Sequence, residues 1–72
     1  MLIGKIDVRA REKILVTIRD VKNTRMIDVR VHHTSDGGEY VATPAGISLS
    51  EGQIDQAIEL LKEAKTRFAE NK

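Results

Sequence analysis

The chain has 72 residues, 40% of them hydrophobic and 32% charged, no cysteine, and a formal net charge of +1. That length makes one domain, residues 1–72, and a domain this short buries only about 60% of its unfolded surface, so it needs a further stabilising device. The missing cysteines exclude a disulfide framework and thiolate zinc sites and fit a reducing compartment, which leaves a partner subunit as that device.

Along the chain, Ile6 and Val8 alternate with Lys5, Asp7 and Arg9, the period of a half-buried strand. Arg11-Glu12 reads as a short turn. From Lys13 to Arg19, the residues Ile14, Val16 and Ile18 alternate with Leu15, Thr17 and Arg19 in a second strand. Asp20 to Thr24, polar and carrying Asn23, reads as a hairpin loop. Ile27, Val29 and Val31 then oppose Met26, Asp28, Arg30 and His32 in a third strand. Asp36-Gly37-Gly38 is the strongest turn signal, because glycine supplies the positive φ of a tight turn. Glu39 to Thr43 reads as a short fourth strand, ended by Pro44, which cannot donate to a ladder.

Gly46-Ile47-Ser48-Leu49-Ser50 leads into the only helix. Ser50 is placed to cap it, with Gln53 as the reciprocal member of a capping box and Leu49 and Ile54 at staple spacing. Glu51 lies in the first turn, where the helix dipole favours negative charge. Ile54, Ala57, Ile58, Leu61, Ala64 and Phe68 form one apolar stripe, with Leu60 beside it. Strands are thus predicted over about residues 3–43 and a helix over about 50–70. The fold class is α+β, a four-stranded antiparallel sheet followed by one C-terminal helix. A single helix leaves one sheet face bare, and the width added by Leu60 suits a helix from a second copy. A homodimer is therefore expected, with Ala57, Leu60, Leu61, Ala64 and Phe68 at its interface; a lone exposed leucine is the competing reading.

The net charge hides an asymmetry. Residues 5–33 carry eight basic and four acidic side chains, a net of +4, and residues 34–72 carry four basic and seven acidic, a net of −3. A basic sheet half can orient a polyanion toward one side. Phosphate binding needs cations spaced along a groove. Arg9, Arg19 and Arg30 come from different strands and are read as sharing one face, with Lys22 and Arg25 beside the hairpin loop. An ion pair with Asp7 or Asp28 is the competing reading of Arg30, and solvated charge that of Lys22 and Arg25. His32 and His33 are strand neighbours that point to opposite faces, so no shared metal is expected. Their functional reading is stacking on bases, against a pair of half-buried strand-end histidines. Tyr40 is read as a further stacking platform or as an edge residue over the core.

Enzyme readings fare poorly. There is no phosphate-cradling glycine loop with its lysine, and Asp7 and Asp28 have no reason to be desolvated together as an acid/base pair. No cofactor is expected. No apolar run approaches the ~18 residues of a membrane span, and no leader-like apolar core follows Met1, so a cytoplasmic location is expected, with association with the nucleoid as a further reading.

Val16-x-Ile18-Arg19-Asp20-x-Lys22, Ile27-Asp28-Val29-Arg30, Asp36-Gly37-Gly38-Glu39 and Gly46-Ile47-Ser48-Leu49 occur in an order and spacing that resembles one family. It is the single-stranded-DNA-binding domain of the transcriptional coactivator positive cofactor four, with its short bacterial relatives. The resemblance implies a curved four-stranded antiparallel sheet with a C-terminal helix, assembled as a homodimer whose sheet surfaces channel unpaired DNA. It implies a sequence-independent role in transcription regulation or DNA maintenance, with transcription machinery as a partner. The family's basic strand residues match Lys22 and Arg30, and Arg19 fits the pattern. The chain departs from the family where His32 and His33 replace aromatics, where Val21 replaces one more, and where Pro44 and Ala45 replace lysines. Those departures favour an alternative, a dimeric protein-interaction module that has lost DNA binding. RNA in place of DNA is a further reading that the residues do not distinguish.

Overall fold

The computed structural model describes residues 1–70. The period-2 alternation is realised in strands β1 (Leu2–Arg9), β2 (Glu12–Val21), β3 (Thr24–Thr34) and β4 (Tyr40–Leu49), and the helical stripe in α1 (Glu51–Glu70). The strands form one antiparallel sheet in the order β1-β2-β3-β4, each paired with its sequence neighbour.

The β2–β3 connection is tighter than the sequence predicts. Only Lys22 and Asn23 turn, both with positive φ (51° and 66°), the pattern of the two-residue hairpin whose twist matches that of its strands. Asp20 and Val21 therefore stay in β2, opposite Arg25 and Thr24, instead of forming a loop.

The fourth strand differs most. It runs through Pro44 to Leu49, so Gly46-Ile47-Ser48-Leu49 is strand and not a lead into the helix. Pro44 is tolerated because the ladder shifts there: His32 pairs with Ala42 and Arg30 with Gly46, leaving Thr43, Pro44 and Ala45 opposite Val31. Thr43 ties the bulge down, its hydroxyl donating to the Val31 carbonyl (2.7 Å) and accepting from the Ala45 N–H (3.2 Å). Beyond the bulge the strands close tightly. A Cβ on Gly46 would lie 2.6 Å from the Val29 carbonyl oxygen and 2.7 Å from the Arg30 Cα. Both are backbone and cannot swing aside. Gly46→Ala is thus expected to destabilise the fold by about 1–3 kcal/mol, read as a lower urea midpoint.

The capping box forms as predicted in its reciprocal half, the Ser50 N–H donating to Gln53 Oε1 at 3.0 Å. Ser50 is the only residue between β4 and α1, and its carbonyl accepts from the N–H groups of Gln53 and Ile54. The helix meets β3 and β4 near its start, where Ile54 adjoins Ile18, Ile27 and Leu49. No helical residue is buried. The stripe therefore does not pack along the sheet, and Phe68, its last member, is 73% exposed. Leu15 is the one buried hydrophobic residue among those described.

Directly opposed residues of an antiparallel ladder share a face. One face gathers Ile6, Ile14, Val16, Ile18, Ile27, Val29, Val31, Ile47 and Leu49. The other gathers Lys5, Asp7, Lys13, Leu15, Thr17, Arg19, Asp28, Arg30, His32 and Ser48. Thus the sheet has an apolar face, met by the start of α1, and a polar face that α1 leaves open.

Candidate functional site

The polar face is concave. Lys5 on edge strand β1 and Tyr40 on edge strand β4 meet across it, Lys5 Nζ donating to the Tyr40 hydroxyl at 3.1 Å and lying 5.7 Å from the ring centroid. Two edges separated by two intervening strands reach each other only if the sheet bends toward that side. That hydrogen bond holds the Lys5 ammonium above its ordinary pKa. The floor beneath holds the two buried residues, Leu15 and Asp28.

Asp28 organises the floor. It is 2% exposed and accepts from Arg30 Nη2 (3.1 Å), Arg30 Nε (3.1 Å) and the Ser48 hydroxyl (2.7 Å). Burial pushes the Asp28 carboxyl upward. The hydrogen bonds from Arg30 and Ser48, with the charges of Arg30 and Arg19, outweigh it and leave Asp28 below its ordinary pKa. The hydrogen bond to Asp28 likewise raises the pKa of the Arg30 guanidinium. Arg30 Nη1 donates to the Thr43 carbonyl in the bulge at 3.1 Å. The competing sequence reading of Arg30, an ion pair with Asp28, is present in the fold.

The remaining candidates divide between the faces. Arg19 stands exposed on the polar face, and neither it nor Lys22 pairs with a carboxylate among the described residues. Lys22 occupies the β2–β3 turn. His32 lies on the polar face opposite Lys13, with Nδ1 3.0 Å from the Arg30 carbonyl. Arg9, expected beside Arg19 and Arg30, is instead turned away. The ladder shifts after Asp7 and sets Arg9 against Glu12, which its Nε meets at 2.8 Å. Arg25 pairs with Asp20 (3.7 Å) and adjoins Ile18 and Ile54 on the apolar side. His33 faces that side too, opposite Glu12 and Val41.

Lys5 and Lys13 are not among the site residues expected from the sequence, yet both lie on the polar face. Lys13 is tied down by the Arg9 carbonyl (2.7 Å) and Asp7 (3.6 Å). Strand parity carried through the first hairpin register identifies both. The helix residues read as a dimer interface are exposed within one chain, Leu60 and Leu61 by 69% and 70%; only Ala57 is half-buried.

Comparisons with known proteins agree with this architecture. Residues 8–60 match the family model described as Transcriptional Coactivator p15 (PC4). A crystal structure of a PC4 homolog from Burkholderia pseudomallei superposes with a TM-score of 0.85 at 28% identity, covering 90% of this chain and 88% of that one. A second crystal form of the same homolog gives 0.83 at 28% identity, covering 90% and 96%. No curated protein matches the chain.

Proposed function

The chain belongs to the Transcriptional Coactivator p15 (PC4) family, and from that premise we propose that it is a homodimer binding single-stranded or locally melted DNA without sequence choice, in transcription regulation or DNA maintenance. The observation that carries this reading is the polar face. Lys5, Lys13, Arg19 and Arg30 are spread along that face with two carboxylates, Asp7 and Asp28, and with Tyr40 and His32. In this reading Arg19 and Lys22 meet phosphates, and the protein performs no catalytic step.

What one chain leaves uncovered supports the homodimer. Ile6, Ile47, Leu60, Leu61 and Phe68 are each more than half exposed. Apolar surface on that scale is covered in stable proteins. A second copy is the occupant that this chain supplies, and a two-fold axis sets each stripe against its own equivalent.

The test is a fluorescence-anisotropy titration with oligo-dT at two salt concentrations. Log affinity should fall with log salt, and the Arg19→Ala/Lys22→Ala variant should flatten the slope by about 0.7 for each phosphate that is no longer neutralised. One observation favours the alternative, a dimeric protein-interaction module: Asp28 neutralises Arg30 and Asp7 meets Lys13. No binding at low salt would select that alternative.

A further inference from the structure

We infer that Arg30 is the base-contacting platform of the concave face and not one of its phosphate contacts. This rests on the single-strand reading above and assigns the role of one residue within it. Three features of the structure carry it.

The first is charge. Asp28 meets Arg30 side-on, two guanidinium nitrogens against the carboxylate, and is itself all but sealed from water. The pair as a unit is neutral. A phosphate approaching Arg30 meets the Asp28 carboxylate at the same range, and the counterion release that drives phosphate binding comes from net cations. Arg19 and Lys22 offer that net charge; Arg30 does not.

The second is orientation. Guanidinium N–H groups lie in the plane of the group. The partners of Arg30 are Asp28, two residues back on β3, and the Thr43 carbonyl on β4. Both are parts of the floor, on two sides of the side chain. Hydrogen bonds running to both occupy three of the five N–H groups and hold the guanidinium against the floor, so that it cannot swing freely toward a passing phosphate. Its side chain retains 19% exposure. Gly46, directly opposite Arg30, leaves room for this, since a Cβ there would lie 2.7 Å from the Arg30 Cβ.

The third is need. Bases are held on flat π surfaces, and a guanidinium is the flat cationic group that stacks like an aromatic ring. The chain has one Tyr, one Phe and no Trp. Phe68 lies on the helix, so Tyr40 is the aromatic of the concave face among the described residues. A pinned, charge-compensated arginine in the floor supplies a second platform.

Arg30→Lys separates the roles, because lysine keeps a cation beside Asp28, and hence the fold, while removing the plane. Wild type and variant are titrated with oligo-dT and with an abasic phosphodiester oligomer of equal length, at two salt concentrations. Arg30→Lys is expected to weaken oligo-dT binding roughly tenfold, while leaving the abasic affinity and the salt slope unchanged. Retained oligo-dT affinity, or equal losses on both oligomers with a flatter slope, would overturn the assignment. The wild type alone gives a second check that needs no folded variant: equal affinity for the two oligomers overturns the base role while leaving DNA binding standing. Failure of both oligomers to bind at low salt removes the underlying reading as well.

Discussion

Leu61→Asp is expected to leave the protein monomeric and largely unfolded at micromolar concentration. Within one chain this substitution would be close to harmless, because Leu61 is 70% exposed and exposed sites usually change stability by no more than about 0.5 kcal/mol. Against a second copy, the same change buries an unpaired carboxylate, a cost of several kcal/mol. The contrast is large because so little else holds the fold. Leu15 is the one hydrophobic residue buried within the described chain, and the small sheet cannot offset the ordering entropy alone. Folding and association should therefore be one transition. Light scattering after size exclusion gives the mass. Urea unfolding at two protein concentrations gives the coupling, with a wild-type midpoint that rises with concentration. A folded, monomeric Leu61→Asp, together with a concentration-independent wild-type midpoint, would refute the second copy. Thr66→Asp, an exposed helical position outside the stripe, serves as the control and should behave as wild type.

The two faces of β2 and β3 are legible in the sequence because alternation has period 2, and a slip by one residue would turn Ile14, Val16 and Ile18 to the polar side. The end of β4 is not. Proline is a sound stop signal inside a regular ladder, yet here it falls where three residues oppose Val31, and a bulge needs no N–H from it. Gly46 reads locally as a residue easing entry to the helix, whereas its role is to let β3 approach within contact distance. Nothing in local sequence carries a distance to a neighbouring strand. The misplacement of Arg9 has the same origin. Its parity in β1 holds up to Asp7, and the shift of register after Asp7 carries it to the side of Glu12. Strand parity assigns faces only between bulges. The Arg30–Asp28 pair is legible as an alternative, because residues two apart on a strand share a face. What the sequence does not supply is the burial of Asp28, which goes with cross-strand neighbours such as Ser48 of β4.

Asp28→Ala is expected to destabilise the folded state by about 2–4 kcal/mol at neutral pH. Removing one member of a buried ion pair typically costs about 3–5 kcal/mol, and the figure is reduced here because Arg30 keeps 19% exposure and can turn partly to water. Ser48 loses its acceptor as well. The pH dependence follows from the direction of the Asp28 shift. Its carboxyl is held below the ordinary range in the fold, by Arg30 and Ser48 against the opposing effect of burial. An unfolded aspartate titrates near about pH 3.9, so the unfolded chain takes up its proton first as pH falls. The stabilisation is present above that value and is lost as pH drops through the lower folded value. Wild type should thus lose stability steeply below about pH 4, whereas Asp28→Asn, which has no proton to gain, should begin weaker and lose less over the same interval. Urea unfolding from neutral pH into acid, at one fixed protein concentration so that association does not enter, measures both. Parallel acid profiles for wild type and Asp28→Asn would mean that Asp28 carries no charge-dependent stabilisation, and would remove the premise that it neutralises Arg30. Steeper acid loss confined to the wild type would tie the floor of the concave face to one ionised carboxylate, the group that fixes which arginine can meet a base and which cations are left for phosphate.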